Sequence, residues 1–327
     1  RMPTITGIEI VGNTDAADGI ELIGTMQATI SEVLIRRCRY GVRLATRNRN
    51  VLIANTHIYD SRPRGIGIYF DGVNLHQTNI IGCHISYCRQ AGIKIEKSEV
   101  RNLQITGCDI EYNYEENTPD CADVWIDARE NTVREVTIAS NTIQAKESPG
   151  GSNIRIEGPD TPASNKAGLI TITGNVLQSQ AVNVRLTSCR GITLTGNTFA
   201  TGFDRSIRLD KCRCIVIGSN FLDYNPDYEG HRVDGLSIKD SAGCVVSNMI
   251  VEACRAGTPE FGGAIEIEGS SDIALDGIQV LDPAVRGIDV RNSTRCRISD
   301  TTVIDRREPR TMTEAIRVAG EGPHNFV

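Results

Sequence analysis

Three observations predict an all-β chain folded as a right-handed single-stranded parallel β-helix, a solenoid of about 12 coils. A six-residue strand phrase keeps returning, a second strand phrase follows it, and no stretch shows helical periodicity. With 31 glycines spread evenly and only 5% aromatic residues, the 327-residue chain reads as something thin and repetitive rather than two compact cores. The organisation expected is one domain over 1–327, with 1–18 as a partial N-terminal coil, 19–320 as regular coils and 321–327 as a tail.

The first phrase reads GIELIG from Gly19, GIKIEK from Gly92, DVWIDA from Asp123, NVRLTS from Asn183, SIRLDK from Ser206 and AIRVAG from Ala315, and successive copies start 22 to 31 residues apart. Its second and fourth residues are aliphatic or Phe, whereas the third and fifth are mostly polar. That alternation is the period of a strand with one buried face. The second phrase reads VLIANTHI from Val51, LQITGCDI from Leu103, VTIASNTI from Val136 and ITLTGNTF from Ile192: a strand, a sharp bend, and a short third strand. Asn55, Asn141, Asn175, Asn197 and Asn220 read as one point of that bend, with Cys83 and Cys108 taking it in two coils. Asn tolerates left-handed backbone and bonds to neighbouring backbone groups, so a column of Asn would satisfy polar groups inside a solenoid.

Rival repeats fit less well. Leucine-rich repeats share the period but need a Leu-x-x-Leu-x-Leu pattern and a helix or helical turn, whereas both phrases here are strands rich in Ile, Val and Thr. A propeller blade would need four antiparallel strands joined by hairpins. Parallel stacked coils remain. On these phrases the chain resembles the pectin-lyase-like superfamily of right-handed β-helices over residues 4–320. The resemblance implies an extracellular or periplasmic setting and a carbohydrate partner, although the architecture also serves tailspikes and non-enzymatic surface proteins.

Composition excludes other classes. A net charge of −6 argues against nucleic acid, whose phosphates need clustered Lys and Arg. No apolar run approaches the roughly 20 residues that span a bilayer, so no membrane partner is expected. The odd number of cysteines, 11, leaves at least one thiol outside any internal pairing scheme, and their recurrence at equivalent points suggests stacked reduced interior thiols and a reducing compartment.

Stacking the first phrases about 4.8 Å apart sets third positions in one outward column and fifth positions in another. The third-position column includes Tyr69, Lys94, Trp125, Arg155, Arg185 and Arg208; the fifth includes Asp71, Glu96, Asp127, Glu157, Thr187 and Asp210. A lattice of salt bridges explains such columns. A binding groove explains them too, because the single Trp125 and Tyr69 stand among the charges, and sugar rings stack on aromatics while their hydroxyls and carboxylates take hydrogen bonds. Tyr69, Lys94, Trp125, Arg155, Arg185 and Asp210 are therefore the expected substrate-binding residues. Long inter-coil insertions, which in solenoids gather on the binding face, add His231 to that set and bring Tyr112, Tyr114, Tyr224, Tyr228 and Phe261 towards it.

Carboxylates on adjacent coils would lie about 5 Å apart and on alternate coils roughly 10 Å, separations that bracket those of glycoside hydrolases. Glu96 with Asp127, or Asp127 with Glu157, would then be acid and nucleophile or base. The same row would suit Ca2+, which takes oxygen ligands, with arginines facing an anionic sugar. The segment Val124-Trp125-Ile126-Asp127 resembles the Trp-Ile-Asp-His strand of pectate lyases. This resemblance implies Asp127 and then Glu157 as Ca2+ ligands and Arg208 as the base; Ala128 stands in place of the family's His, and Arg208 and Arg213 lack the family's intervening Pro. The expected function is thus binding and cleavage of a polysaccharide, by a lyase or glycoside hydrolase, with a non-enzymatic glycan-binding or tailspike-like β-helix as the alternative. The partial coil at 1–18 offers no helical cap, so association of copies, trimers included, stays open.

Overall fold

The computed structural model describes residues 2–116, 119–161, 165–227, 231–320, 322 and 324–326. The chain winds through about 12 turns and is 58% strand, with no helix among the described residues. Each full coil contributes to three parallel sheets, as when Ala91–Glu96, Glu99–Thr106 and Asp109–Glu111 follow one another round the section. Each pairs with its counterpart in the next coil, at Ala122–Asp127, Val133–Ala139 and Thr142–Gln144. In several coils the first two strands run on without a break, as in Tyr40–Ala54 and Ile66–Ile81.

The apolar positions of the phrases stack into columns. Ile93, Val124, Ile154, Val184 and Ile207 are in register along the first sheet, and Ile53, Ile80, Ile105, Ile138 and Ile172 along the second, all fully buried. β-branched residues suit this arrangement, because a stiff side chain in a pleated column packs on its equal one coil away. The wall strands thus form one continuous core rather than several local ones.

The bends are held by polar ladders. Asn141 Nδ2 donates to Asn175 Oδ1 (2.9 Å) and to the Ile105 carbonyl (3.1 Å), and the pattern repeats from Asn175 to Asn197 and from Asn197 to Asn220. One position departs from expectation. Asn55 is exposed at φ 47°, and the interior place in its coil belongs to Thr56, whose hydroxyl donates to the Ala54 carbonyl at 2.8 Å. The misplacement arises because Asn suits both the left-handed bend and the inward site that follows it. Ten of the cysteines are buried free thiols, and Cys214 is exposed.

At the N-terminal end, Thr4–Thr6 and Glu9–Val11 supply second- and third-sheet strands pairing with Thr29–Ser31 and Leu34–Arg36. Near the other end Phe326 bridges to Arg297, while Glu321, Pro323 and Val327 of the expected tail lie outside the described residues.

Candidate functional site

The register of the first sheet reproduces the outward columns. Arg43, Tyr69, Lys94, Trp125, Arg155, Arg185 and Arg208 are consecutive partners, and so are Asp127, Glu157, Thr187 and Asp210. What differs from expectation is how much of the column reaches solvent. Tyr69, Lys94 and Trp125 are each 6% exposed, Arg155 and Asp127 9%, and Glu157 8%. They point outward yet are covered, mainly by one another.

The covering is specific. Lys94 Nζ lies 4.5 Å from the centre of the Trp125 ring and the Arg155 guanidinium 4.4 Å from it, while the indole N–H donates to Glu157 Oε2 at 2.9 Å. Cations over an aromatic face are attracted by its quadrupole, and more strongly when dry. Both flanks and the polar edge of Trp125 are therefore occupied, so the indole offers no open face to a sugar. Tyr69 packs against Tyr40 with ring centres 4.8 Å apart and donates its hydroxyl to Glu96, whose other oxygen pairs with Lys94 at 2.9 Å. Burial and that bond push the Tyr69 phenol up. Arg155 reaches Glu157 at 2.8 Å and, from the loop before the strand, Asp120 at 2.7 Å.

Asp127 is clamped locally. Its Oδ1 accepts from the Arg129 backbone N–H (3.1 Å) and Nε (2.8 Å), and its Oδ2 from Arg129 Nη2 (2.5 Å). Burial alone would raise its pKa, but the Arg129 contacts hold it below the ordinary carboxylate value. Neither Asp127 nor Glu157 presents a carboxylate free of a cationic or N–H donor, and this donor set does not fit Ca2+, which needs six to eight available oxygens. Among Glu96, Asp127 and Glu157, none has the uncommitted oxygens that acid–base work requires.

Two coils beyond Trp125 the column changes character. Arg185 is half-buried between Arg155 and Arg208, and its Nε, closed off from solvent, has no hydrogen-bond partner. No carboxylate among the described residues pairs with it. Burial and the two neighbouring arginines lower its pKa. Arg208 pairs with Asp204 at 2.9 Å. Across the strand, half-buried Asp210 bonds to no side chain among the described residues, and burial raises its pKa against the opposing pull of Arg208 and Arg185. The structure thus brings Arg155, Arg185, Arg208 and Asp210 to one place and leaves the last with an open charge.

The loop residues divide. His231 is exposed and joined to none of these groups. Tyr224 lies under the Arg232 guanidinium at 3.8 Å and Phe261 beside Arg291 at 5.0 Å. Tyr228 lies outside the described residues. Tyr112 and Tyr114 line a separate pocket at the bend after the third sheet. Residues that column reading misses are Asp120 and Arg129, which flank the strand Ala122–Asp127, and Asp204, inside Thr198–Asp210 just ahead of the phrase; none has a fixed place in the repeat.

The fold and this geometry define the class of protein as a right-handed parallel β-helix. The chain belongs to the right-handed β-helix region family, whose model matches residues 3–143 and 164–327. Among solved structures it is similar to a DFA-IIIase from Arthrobacter chlorophenolicus A6 in complex with GF2, with TM-score 0.53 and 13% identity over 91% of this chain and 82% of that one. It is also similar to the tailspike protein of E. coli bacteriophage HK620 in complex with a pentasaccharide (TM-score 0.61, 10% identity), covering 95% of this chain and 58% of the tailspike. Tailspike protein 3 of bacteriophage CBA120 follows at TM-score 0.55 and 14% identity, over 99% and 51%. Likeness at such identities is likeness of fold. No curated protein matches the sequence.

Proposed function

We propose that the protein binds an acidic, uronate-containing polysaccharide across Arg185 and Arg208 and cleaves it by β-elimination. The observation that carries this reading is Arg185, a half-buried cation held between two others with no carboxylate of its own among the described residues. Stacked cations at one coil's spacing repel one another, and an incoming carboxylate relieves that repulsion by pairing with the guanidinium. Structural neighbours bind oligosaccharides on the same architecture, which agrees with a glycan ligand.

Once Arg185 neutralises the uronate carboxylate, the adjacent C5–H becomes more acidic. Asp210, made more basic by burial, takes that proton. The electron pair forms the C4–C5 double bond, the bond from C4 to the glycosidic oxygen breaks, and that oxygen takes a proton from water. The test is incubation with oligogalacturonate, oligomannuronate and neutral cello-oligosaccharides, following binding by calorimetry and product by the absorbance of unsaturated sugar. The expected result is binding of a uronate oligomer that weakens with added salt, and unsaturated product lost in Asp210→Asn with binding retained. Binding without product would assign the protein to non-enzymatic glycan recognition; no uronate binding would remove the reading.

A further inference from the structure

A second cluster stands apart from the arginine column, at the bends that carry the chain out of the third sheet. Tyr59, Tyr87, Tyr112 and Tyr114 line one pocket of about 490 Å3 with Asp60, Arg89, Glu115 and Glu116, within the size range of small-ligand sites. Half of the chain's 8 tyrosines are gathered there.

Two features set these tyrosines apart from ordinary surface residues. The residue just after several of the third-sheet strands adopts left-handed backbone: Arg37, Asp60, Tyr87, Tyr112, Ala253 and Asp282 have φ between 48° and 58°. Glycine, Asn or Asp suits such a place, and a bulky ring there is unusual. Tyrosine nonetheless takes it in two successive coils. Those rings then lie parallel, 5.4 Å between centres with 10° between planes, and Tyr87 is 54% exposed rather than folded into the core. An exposed ring stacked on a half-buried one beside an open pocket is a stacking platform, and it contributes nothing to the interior ladders.

The charges select the occupant. Three carboxylates and one guanidinium line the pocket, so its potential is negative and a uronate is disfavoured. Carboxylates and phenols instead accept hydrogen bonds from sugar hydroxyls, while the apolar face of a pyranose covers an aromatic ring. We infer that the Tyr87–Tyr112 pocket is a subsite for a neutral sugar residue, separate from the arginine column and independent of it. Burial, with Glu116 adding to it, raises the Tyr114 phenol, which keeps that hydroxyl protonated as a donor as well as an acceptor.

The experiment titrates neutral hexasaccharides (cello-, xylo-, manno- and maltohexaose) into the full chain, reading calorimetric heat and the tyrosine ultraviolet difference spectrum. One of them is expected to bind. Tyr87→Ala with Tyr112→Ala should weaken that binding at least tenfold with the melting temperature held, and Tyr87→Phe should retain it. Arg185→Ala should leave it unchanged, which separates this site from the uronate site whichever of the two fails. Absence of binding by all four sugars, or binding indifferent to the double tyrosine change, overturns the inference.

Discussion

Trp125 and Arg185 occupy the same outward column two coils apart, and they meet opposite fates. Around Trp125 each charged side chain has found a partner within the protein, although Arg155 Nε makes no hydrogen bond: two cations lie on the ring faces, Glu157 is on the N–H, and Arg129 is on Asp127. Around Arg185 the pairing stops, leaving a guanidinium between two like charges and, among the described residues, no side-chain partner for the carboxyl of Asp210. A satisfied polar network stabilises and rigidifies, whereas an unsatisfied one stores interaction for a ligand. The comparison therefore assigns stability to the first region and recognition to the second, although in sequence the first looked like the centre of the site.

The largest expected effect lies in the satisfied region. Trp125→Ala removes a buried indole together with its contacts to Lys94, Arg155 and Glu157, and should cost about 3–5 kcal/mol in denaturant unfolding. A loss under about 1 kcal/mol would show that the network is not structural. Next comes a pH effect behind the same strand. Asp123, 1% exposed among Asn113 and Asn153, has its pKa pushed up to about 8 by burial, against the lowering effect of those two amides. A carboxyl raised in the folded state is favoured folded while protonated, so stability should fall as pH rises from about 4 to about 8, by on the order of a few kcal/mol. Asp123→Asn should flatten that slope in melting curves taken across the range; an unchanged slope would mean that another group sets it.

Smaller effects sharpen the contrast. Asp127→Asn releases Arg129 at the surface and should change stability by no more than about 1 kcal/mol and leave uronate binding and turnover intact; loss of turnover would return Asp127 to the mechanism. Removing divalent cations with EDTA should change neither, because both oxygens of Asp127 and of Glu157 are already engaged. A requirement for Ca2+ would place ligands elsewhere.

The coils were legible in the sequence because period-2 alternation and a fixed repeat say which residues face inward and which share a column. Every member of the outward column from Arg43 to Arg208 stands where the phrases set it. Exposure was not legible. Whether an outward Trp is open or sandwiched depends on the length and charge of its neighbours one coil away and on loop residues such as Asp120, which have no fixed place in the repeat. The same limit hid the tyrosine pair. Tyr87 carried no signal in the sequence, and Tyr112 read as a loop residue at the rim of the first sheet; the register of successive coils instead brings the two rings together at the bend after the third sheet.

The central claim, that recognition belongs to the unpaired arginine rather than to the aromatic centre, is tested most directly by titrating hexagalacturonate into the wild-type chain and Arg185→Ala at low and high salt. Binding should be salt-sensitive in the wild type and about tenfold or more weaker in the variant, with unfolding free energy within about 0.5 kcal/mol of wild type. Equal affinity in the two chains would contradict the claim.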